Sequence, residues 1–574
     1  MNQAYITAIL CVIALIISFF IWIVYEDHKR KKTIRKKIKR IYGNVPDREY
    51  ETGDIEKISR YFRRKAGDGF VIDDITWNDL DMDRVYMLVN QTMSSPGEDV
   101  LYEMMRTPLL SQEKLEERDA LVEFFATHEE EREKMQLMLS SIGKTRLGSL
   151  ADTVLALEKA PLVSKKIHVI MLAAMLVSLT FLAVISPLYA IMVFFILSIS
   201  NVINYYASKD YKLIELYLDC FVHLLSMLSS ADEMQAVKWP QVKKQMDAIQ
   251  ESRSAFGAFR KKAILLTSNN KGTGDILQAI LDYVRMVFHV DILAYNSVLK
   301  DVQGKTDKIM QLIDNIGELD AAISIASFRE MMILKCKPEF TSYDGGEIQL
   351  EAEDLYHPLI SEAVANSISA KGGTLVTGSN ASGKSTFLKN IAINSILAQT
   401  LNTCTCSFYR APLLKVMTSM ALRDDLSGGE SYFIVEIKSL KRILDESRKE
   451  EPLLCIIDEV LRGTNTIERI AASSRILKEL SRNWVLPFAA THDIELSYIL
   501  DGVYENYHFE EEVTDGQVNF NYLLHKGRAT TRNAIKLLDV LGYDKEVVEA
   551  ARNAAAEFER TGVWKTVKGE MKSC

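Results

Sequence analysis

Two short stretches hold residue types whose spacing does chemistry. In TLVTGSNASGKSTF, residues 374–387, a short strand leads into Gly378, then Ser379, Asn380, Ala381 and Ser382, then Gly383, Lys384, Ser385 and Thr386. Glycines at those two places let successive backbone amides turn inward around a phosphate. Lys384 adds a point charge, Ser385 offers a hydroxyl to Mg2+, and the helix that follows aims its positive end at the anion. In LLCIIDEVLRGTNTIER, residues 453–469, an apolar strand ends in two adjacent carboxylates. The first acid of such a pair, beside a phosphate loop, orders the metal through water, and the second is placed to orient an attacking water. Asp458 is therefore expected, with Ser385, to hold Mg2+, and Glu459 to act as general base. ATP with Mg2+ is the cofactor pair this chemistry calls for, and ATP hydrolysis the reaction.

Two further stretches follow the same logic. DDLSGGESYFIVE, residues 424–436, puts a Ser-Gly-Gly turn at a helix start, a second anion-binding N-terminus built from Ser427, Gly428, Gly429 and Ser431. AATHDIEL, residues 489–496, brings His492 to the end of another strand, within reach of a terminal phosphate. The expected catalytic set is Glu459, His492 and Lys384. The expected nucleotide-binding set is 378–386 with the Ser-Gly-Gly segment.

The elements that position these residues come from patterning. A chain of 574 residues is long enough for several domains. Residues 339–545 alternate short β-branched runs with helical stretches and predict an α/β ATPase domain, and 546–574 an amphipathic helix and tail. Residues 67–166 carry apolar residues at three-and-four spacing, broken at Ser94-Ser95-Pro96-Gly97 and at Pro108, the first part of a helical core. Residues 207–338 continue it as a helical lever. Residues 1–25 and 26–66 predict an apolar anchor and a basic juxtamembrane segment, and 167–206 an apolar hairpin.

Those apolar segments set an expectation about location. Residues 4–25 hold no charge and suffice to cross a hydrocarbon layer of ~30 Å, and the Lys/Arg block at 29–40 marks the cytoplasmic side. Residues 167–206 are twice that length, broken at Ser186-Pro187 and flanked by Lys159, Lys165 and Lys166 before and by Lys209 and Lys212 after. Three transmembrane helices are predicted, in a multi-pass protein of the cell (plasma) membrane with its ATPase domain in the cytoplasm. The net charge of −8 excludes a generally basic polyanion binder, leaving 29–40 as the local patch for phosphates. Of seven cysteines, Cys404 and Cys406 alone are close in sequence, at a spacing that fits neither a redox CxxC nor a zinc pattern. They read as reduced thiols.

The order of phosphate loop, Ser-Gly-Gly turn, acidic strand end and histidine resembles the ABC-type ATPases. Within that class the chain resembles the MutS family of DNA mismatch-repair proteins. The likeness is carried by TGSNASGKST (377–386), DDLSGGESYFIVE, DEVLRGTNT (458–466), ATHDIEL (490–496) and LLHKGRATTRNAIKLLDVLGYDKEVVEAAR (523–552). Weaker likeness lies in ITWNDL, QTMSSPGEDVLYEMMRTPL and EERDALVEF within 75–124, in GELDAAISIAS at 317–327 and in YHPLI at 356–360. The resemblance implies nucleotide held between the phosphate loop of one subunit and the signature of another, hence a homodimer, with ATP driving a helical clamp that acts on DNA. The signature serine is Ser427 by the general ABC pattern and Ser431 by alignment through Glu436. The chain departs from the family at Leu461, where the family has glycine, at Asn465, where it has serine, and at Val364, where its adenine-stacking Phe stands, with Tyr356 as a replacement. An apolar segment takes the place of the mismatch-reading N-terminal domain, and nothing resembling a C-terminal Smr nuclease follows. The fold class expected is multidomain: an α-helical core and lever with transmembrane helices, plus a C-terminal α/β ABC-type P-loop ATPase domain. The alternative function is an ABC-like membrane ATPase with a protein or lipid target.

Overall fold

The computed structural model describes residues 3–65, 67, 69–145, 149–185, 187–207, 209–263, 283–379, 382–420, 432–462, 464–514, 517–529, 534–540, 542–564 and 566. Contacts within the chain divide it into two compact units. One holds Met1–Gly69, Tyr86–Arg106 and Glu116–Ile333, and the other Phe70–Val85, Thr107–Leu115 and Leu334–Cys574.

The first unit is helical. Its central helix, Thr306–Met331, buries Ile309, Leu312, Ile313, Ile316, Leu319 and Ile323 at helical spacing, the stripe that a helix packed on neighbours requires. It lies against the helix Ser95–Arg106. The approach is so close that a Cβ on Gly317 would stand 2.4 Å from the Pro96 carbonyl oxygen, so only glycine fits. Three residues on, Asp320 is buried and accepts from the amides of Met93 and Ser94, at 3.0 and 2.8 Å, and from the Ser94 hydroxyl at 2.6 Å. The segments around Ser94-Ser95-Pro96-Gly97 and GELD, far apart in sequence, form one joint.

The expected membrane architecture is corrected here. Among the described residues no helix is long and apolar enough to cross a membrane, against the predicted anchor, hairpin, three transmembrane helices, bilayer partner and multi-pass plasma-membrane location. The apolar N-terminal run is the first part of a single helix, Gln3–Ile41, whose second half is rich in Lys and Arg. The two helices of the hairpin, Lys166–Ile185 and Pro187–Ala207, pack on each other and also carry polar side chains bonded within the helical unit. Asn201 donates to the Val287 carbonyl at 3.0 Å, the Tyr205 hydroxyl to Asp291 at 2.8 Å, and the rings of His168 and His289 meet nitrogen to nitrogen at 2.8 Å.

The second unit is α/β, as its alternating pattern predicts. Ten strands are described: β1 (Glu339–Thr341), β2 (Gln349–Leu355), β3 (Asn366–Lys371), β4 (Gly373–Thr377), β5 (Phe408–Pro412), β6 (Lys415–Ser419), β7 (Leu453–Asp458), β8 (Val485–Thr491), β9 (Tyr504–Thr514) and β10 (Gln517–Lys526). They form a four-stranded sheet, β1-β5-β2-β3, and a six-stranded sheet, β10-β9-β4-β8-β7-β6. In the larger sheet β4, β8, β7 and β6 run parallel, β9 lies parallel to β4, and β10 is antiparallel to β9. β4 and β8 are buried along their whole length and β7 until its last residue. Their sequences accordingly read as unbroken apolar runs, the mark of parallel strands covered on both faces. The edge strand β6 is capped by the short helix Asp74–Asp79, where Asp79 accepts from the Thr418 hydroxyl at 2.6 Å and the Met420 amide at 3.0 Å. An edge closed this way offers no free ladder to another chain.

Candidate nucleotide site

Because β4, β8 and β7 are adjacent and parallel, their carboxyl ends deliver three loops to one edge of the sheet, the usual place for a ligand in an open α/β fold. β4 ends at the phosphate loop, β7 at Asp458 and β8 at Thr491, one residue before His492. Loop and helix join at Gly383, whose φ of 109° caps the helix Lys384–Leu401, and Gly378 at φ 148° has the Phe509 carbonyl oxygen 2.9 Å from where a Cβ would lie. Both positions need glycine for backbone reasons alone. Lys384 folds over the loop and donates to the carbonyls of Gly378 and Ser379 at 2.8 and 2.7 Å. Burial pushes its ammonium down to about 8, against the pull of Glu459, Asp458 and Glu511. Ser379 donates to Glu511 at 2.8 Å.

The carboxylates stand opposite. Burial pushes Asp458 above the ordinary carboxylate range, opposed by a hydrogen bond from Ser385 and by Lys384. Its Oδ1 is buried with no hydrogen-bond partner among the described residues, as is the Ser382 hydroxyl. Burial also acts on Glu459, but the hydrogen bond with His492 and the charges of Arg462 and Lys384 outweigh it and hold the carboxyl low. His492 Nε2 stands 2.5 Å from Glu459 Oε1, and Arg462 Nε 2.6 Å from Oε2. Glu459 is thus clasped on both oxygens.

A cavity of about 580 Å³ lies here, with Ser382, Gly383, Lys384, Ser385, Thr386 and Glu459 in its lining. His357, Ile360, Val364, Phe509 and Tyr522 also line it, the Tyr522 and Phe509 rings lying beside Gly383. Val364 borders it as the family likeness implied, whereas Tyr356 does not line it and gives its hydroxyl to the Leu334 carbonyl at 2.9 Å. Of the lining aromatic side chains, Tyr522 on β10 is open to solvent while Phe387 and Phe509 are buried. Asn380, Ala381, Ser427, Gly428, Gly429 and Ser431 lie outside the described residues.

Sequence reasoning missed the supports. Arg469 grips Asp493 through two hydrogen bonds of 2.8 and 2.6 Å, and the Asp493 amide donates to the Thr491 hydroxyl oxygen at 3.0 Å, fixing the loop that carries His492. Glu436, on the helix Tyr432–Ser447, accepts from the amides of Leu461 and Arg462 and so holds the turn after the acids. That turn is strained: Glu459 and Leu461 both sit at φ 59°, a left-handed conformation costly for side-chain-bearing residues. The signal at Leu461 was present in the family's glycine at this place.

Comparison with known proteins agrees with the motif reading. Residues 374–559 match the family model MutS domain V. The chain is 29% identical over 319 residues to the DNA mismatch repair protein MutS of Aquifex pyrophilus, covering 52% of this chain and 36% of that protein. It is 27% identical over 360 residues to DNA mismatch repair protein MutS 2 of Haloarcula marismortui, covering 57% and 37%, and 30% identical over 256 residues to MutS of Thermosipho melanesiensis, covering 43% and 30%. The chain thus spans little more than a third of the length of the first two relatives. Over residues 374–559 the chain is similar to MutS domain V, a likeness that supports the ATP-hydrolase class expected from the motifs.

Proposed function

We propose that this chain is a MutS-like ATPase that binds and hydrolyses ATP at composite sites between two copies and uses the cycle to drive its helical unit as a clamp on DNA. The observation that carries the catalytic half is the meeting of Lys384, Ser385 and Glu459 on a cavity of about 580 Å³, with Asp458 bonded to Ser385 and His492 to Glu459. The DNA half rests on the printed function of the relatives.

The chemistry of these residues supports the following roles. The loop amides from 378 to 386 and the N-terminus of the helix Lys384–Leu401 bind the phosphates, with Lys384 adding charge. Ser385 and Asp458 fit a hard divalent cation, since Asp458 is bonded to Ser385 and its buried Oδ1 has no partner among the described residues. Mg2+ bound there would supply neutralisation of phosphate charge. Glu459 takes the proton of the attacking water, and His492 holds Glu459 in place and faces the terminal phosphate. The base fits against Val364 and Tyr522 of the cavity lining, with Tyr522 supplying the aromatic face. The Ser427-Gly428-Gly429 turn, or Ser431, completes the site from the second copy.

Glu459→Gln tests the catalytic half. It should keep ATP binding and lower turnover by roughly 10²- to 10⁴-fold, the usual worth of a general base. Normal hydrolysis in that variant removes Glu459 from the role. For the DNA half, turnover and gel mobility of the full chain are compared at low salt with duplex, branched and mismatched DNA. Indifference to all three rejects the DNA target and leaves the ATPase intact.

A further inference from the structure

Away from the nucleotide cavity, three thiols converge. Cys336 pairs with Cys404 in an isolated antiparallel bridge, with amide-to-carbonyl distances of 3.0 and 2.9 Å, and Cys336 Sγ lies 3.4 Å from Cys406 Sγ. Cys404 and Cys406 are fully buried, whereas Cys336 is partly open to solvent. We propose that Cys336 and Cys406 are a peroxide-sensitive thiol pair which closes into a disulfide and slows the ATP cycle.

The arrangement fits a two-thiol reaction. Hydrogen bonding from the Cys404 and Cys406 thiols lowers the Cys336 pKa, which raises its thiolate fraction. The Cys336 thiolate attacks a peroxide oxygen, the O–O bond breaks, and hydroxide leaves a sulfenic acid behind. The Cys406 sulfur then attacks that sulfur, forming the S–S bond and releasing the sulfenic oxygen as water with the Cys406 proton. The proton first lost by Cys336 converts hydroxide to water. Two thiols lose two electrons, and one hydrogen peroxide becomes two waters. Closing the bond needs the sulfurs to move from 3.4 Å to about 2.05 Å, within reach of side-chain rotation.

The bond would tighten a strap that ends in the nucleotide cavity. Tyr356 hangs between the two thiol-bearing segments, its hydroxyl on the Leu334 carbonyl at 2.9 Å and its amide on the Thr405 carbonyl at 3.1 Å. The next residue, His357, lines the cavity. On the other side the Thr405 amide donates to Asn394 of the helix Lys384–Leu401, which begins at the phosphate loop. A disulfide holding 334–336 against 404–406 fixes both ends of Tyr356 and opposes any yielding of the strap when nucleotide leaves, so kcat should fall while KM stays.

The test treats the full chain with hydrogen peroxide, then alkylates, digests and maps it without reductant, and measures ATP turnover before and after dithiothreitol. A Cys336–Cys406 cross-linked peptide is expected, with kcat down by about fivefold, the low end of usual coupling between sites, restored by dithiothreitol. Cys336→Ser, a partly exposed position, should leave reduced-state turnover unchanged and abolish both the cross-link and the loss. Absence of the cross-link, a bond from Cys336 to Cys404 instead, or an equal loss in Cys336→Ser overturns the proposal. A mapped cross-link that leaves kcat unchanged removes the strap as a control point. The kinetic effect rests on the ATPase reading and the cross-link does not, so a chain that cross-links without hydrolysing ATP counts against that reading alone.

Discussion

Two aspartates, one buried in the helical unit and one half-buried in the α/β unit, are served by their surroundings in opposite ways. Asp320, in the helical unit, has three protein donors on its carboxylate within 3.0 Å. Asp458, in the α/β unit, keeps one oxygen buried without a partner. Burial raises both pKa values, Asp320 to about 6. A carboxylate whose oxygens the protein satisfies has its work within the fold, whereas one with an open oxygen beside a phosphate loop and a second carboxylate fits a cation. The pair therefore contrasts a closed hydrogen-bond account with an open one.

The largest expected effect breaks that comparison directly. Asp320→Ala strips the acceptor from the amides of Met93 and Ser94 and the Ser94 hydroxyl and should lower stability by about 3 kcal/mol, since buried donors are left unmade. Asp458→Ala should cost less than about 0.5 kcal/mol, or stabilise, while turnover is lost. Denaturant titration of both variants measures this. Equal losses would mean that the open oxygen of Asp458 is satisfied in solution and that the contrast is false.

Lys384 sharpens the same contrast through pH. Its folded value of about 8 lies below the ordinary 10.5, because burial penalises the ammonium. Between those values the unfolded chain binds more protons than the folded one, so the nucleotide-free fold gains stability as pH rises from about 8 to 10.5 and loses that gain as pH falls back to about 8, below which the contribution is constant. Bound phosphates favour the charged form, so ATP binding takes up a proton in that window. Affinity should weaken there by at most about tenfold per pH unit. Fluorescent-nucleotide titrations from pH 7 upward, with Lys384→Met as the control that flattens the profile, measure it. A flat wild-type profile would put the Lys384 pKa near its ordinary value.

How much was legible in the sequence follows from how local each feature is. The phosphate loop lies within a dozen residues and needs special backbone at Gly378 and Gly383, so spacing alone exposes it. Asp458 and Glu459 stand at the end of one buried strand and are visible as acids after an apolar run. Arg469 with Asp493, Glu436 with Leu461, and Tyr522 in the cavity join residues distant in sequence that only the strand order brings together. The apolar helices misled because hydropathy measures what a segment avoids, not what covers it. Nothing in 167–206 revealed that His168, Asn201 and Tyr205 have partners near residue 290.

The smallest expected effect concerns the loops themselves. The phosphate loop meets its left-handed positions with glycine, whereas the turn after the acids meets its own with Glu459 and Leu461, each at φ 59°. Leu461 is buried and its amide is held by Glu436, so packing and one charge-assisted hydrogen bond offset the backbone cost. Leu461→Ala and Leu461→Gly both lose the same packed side chain, by about 2–3 kcal/mol. They differ in what remains, because alanine keeps the left-handed penalty and glycine does not. The glycine variant should therefore be the more stable of the two by about 1 kcal/mol, although glycine elsewhere loses to alanine by a similar amount. Paired denaturation curves give the sign without needing the absolute values. An alanine variant as stable as the glycine one would mean that the turn leaves the left-handed region in solution, and that the strain beside Glu459 is not stored there.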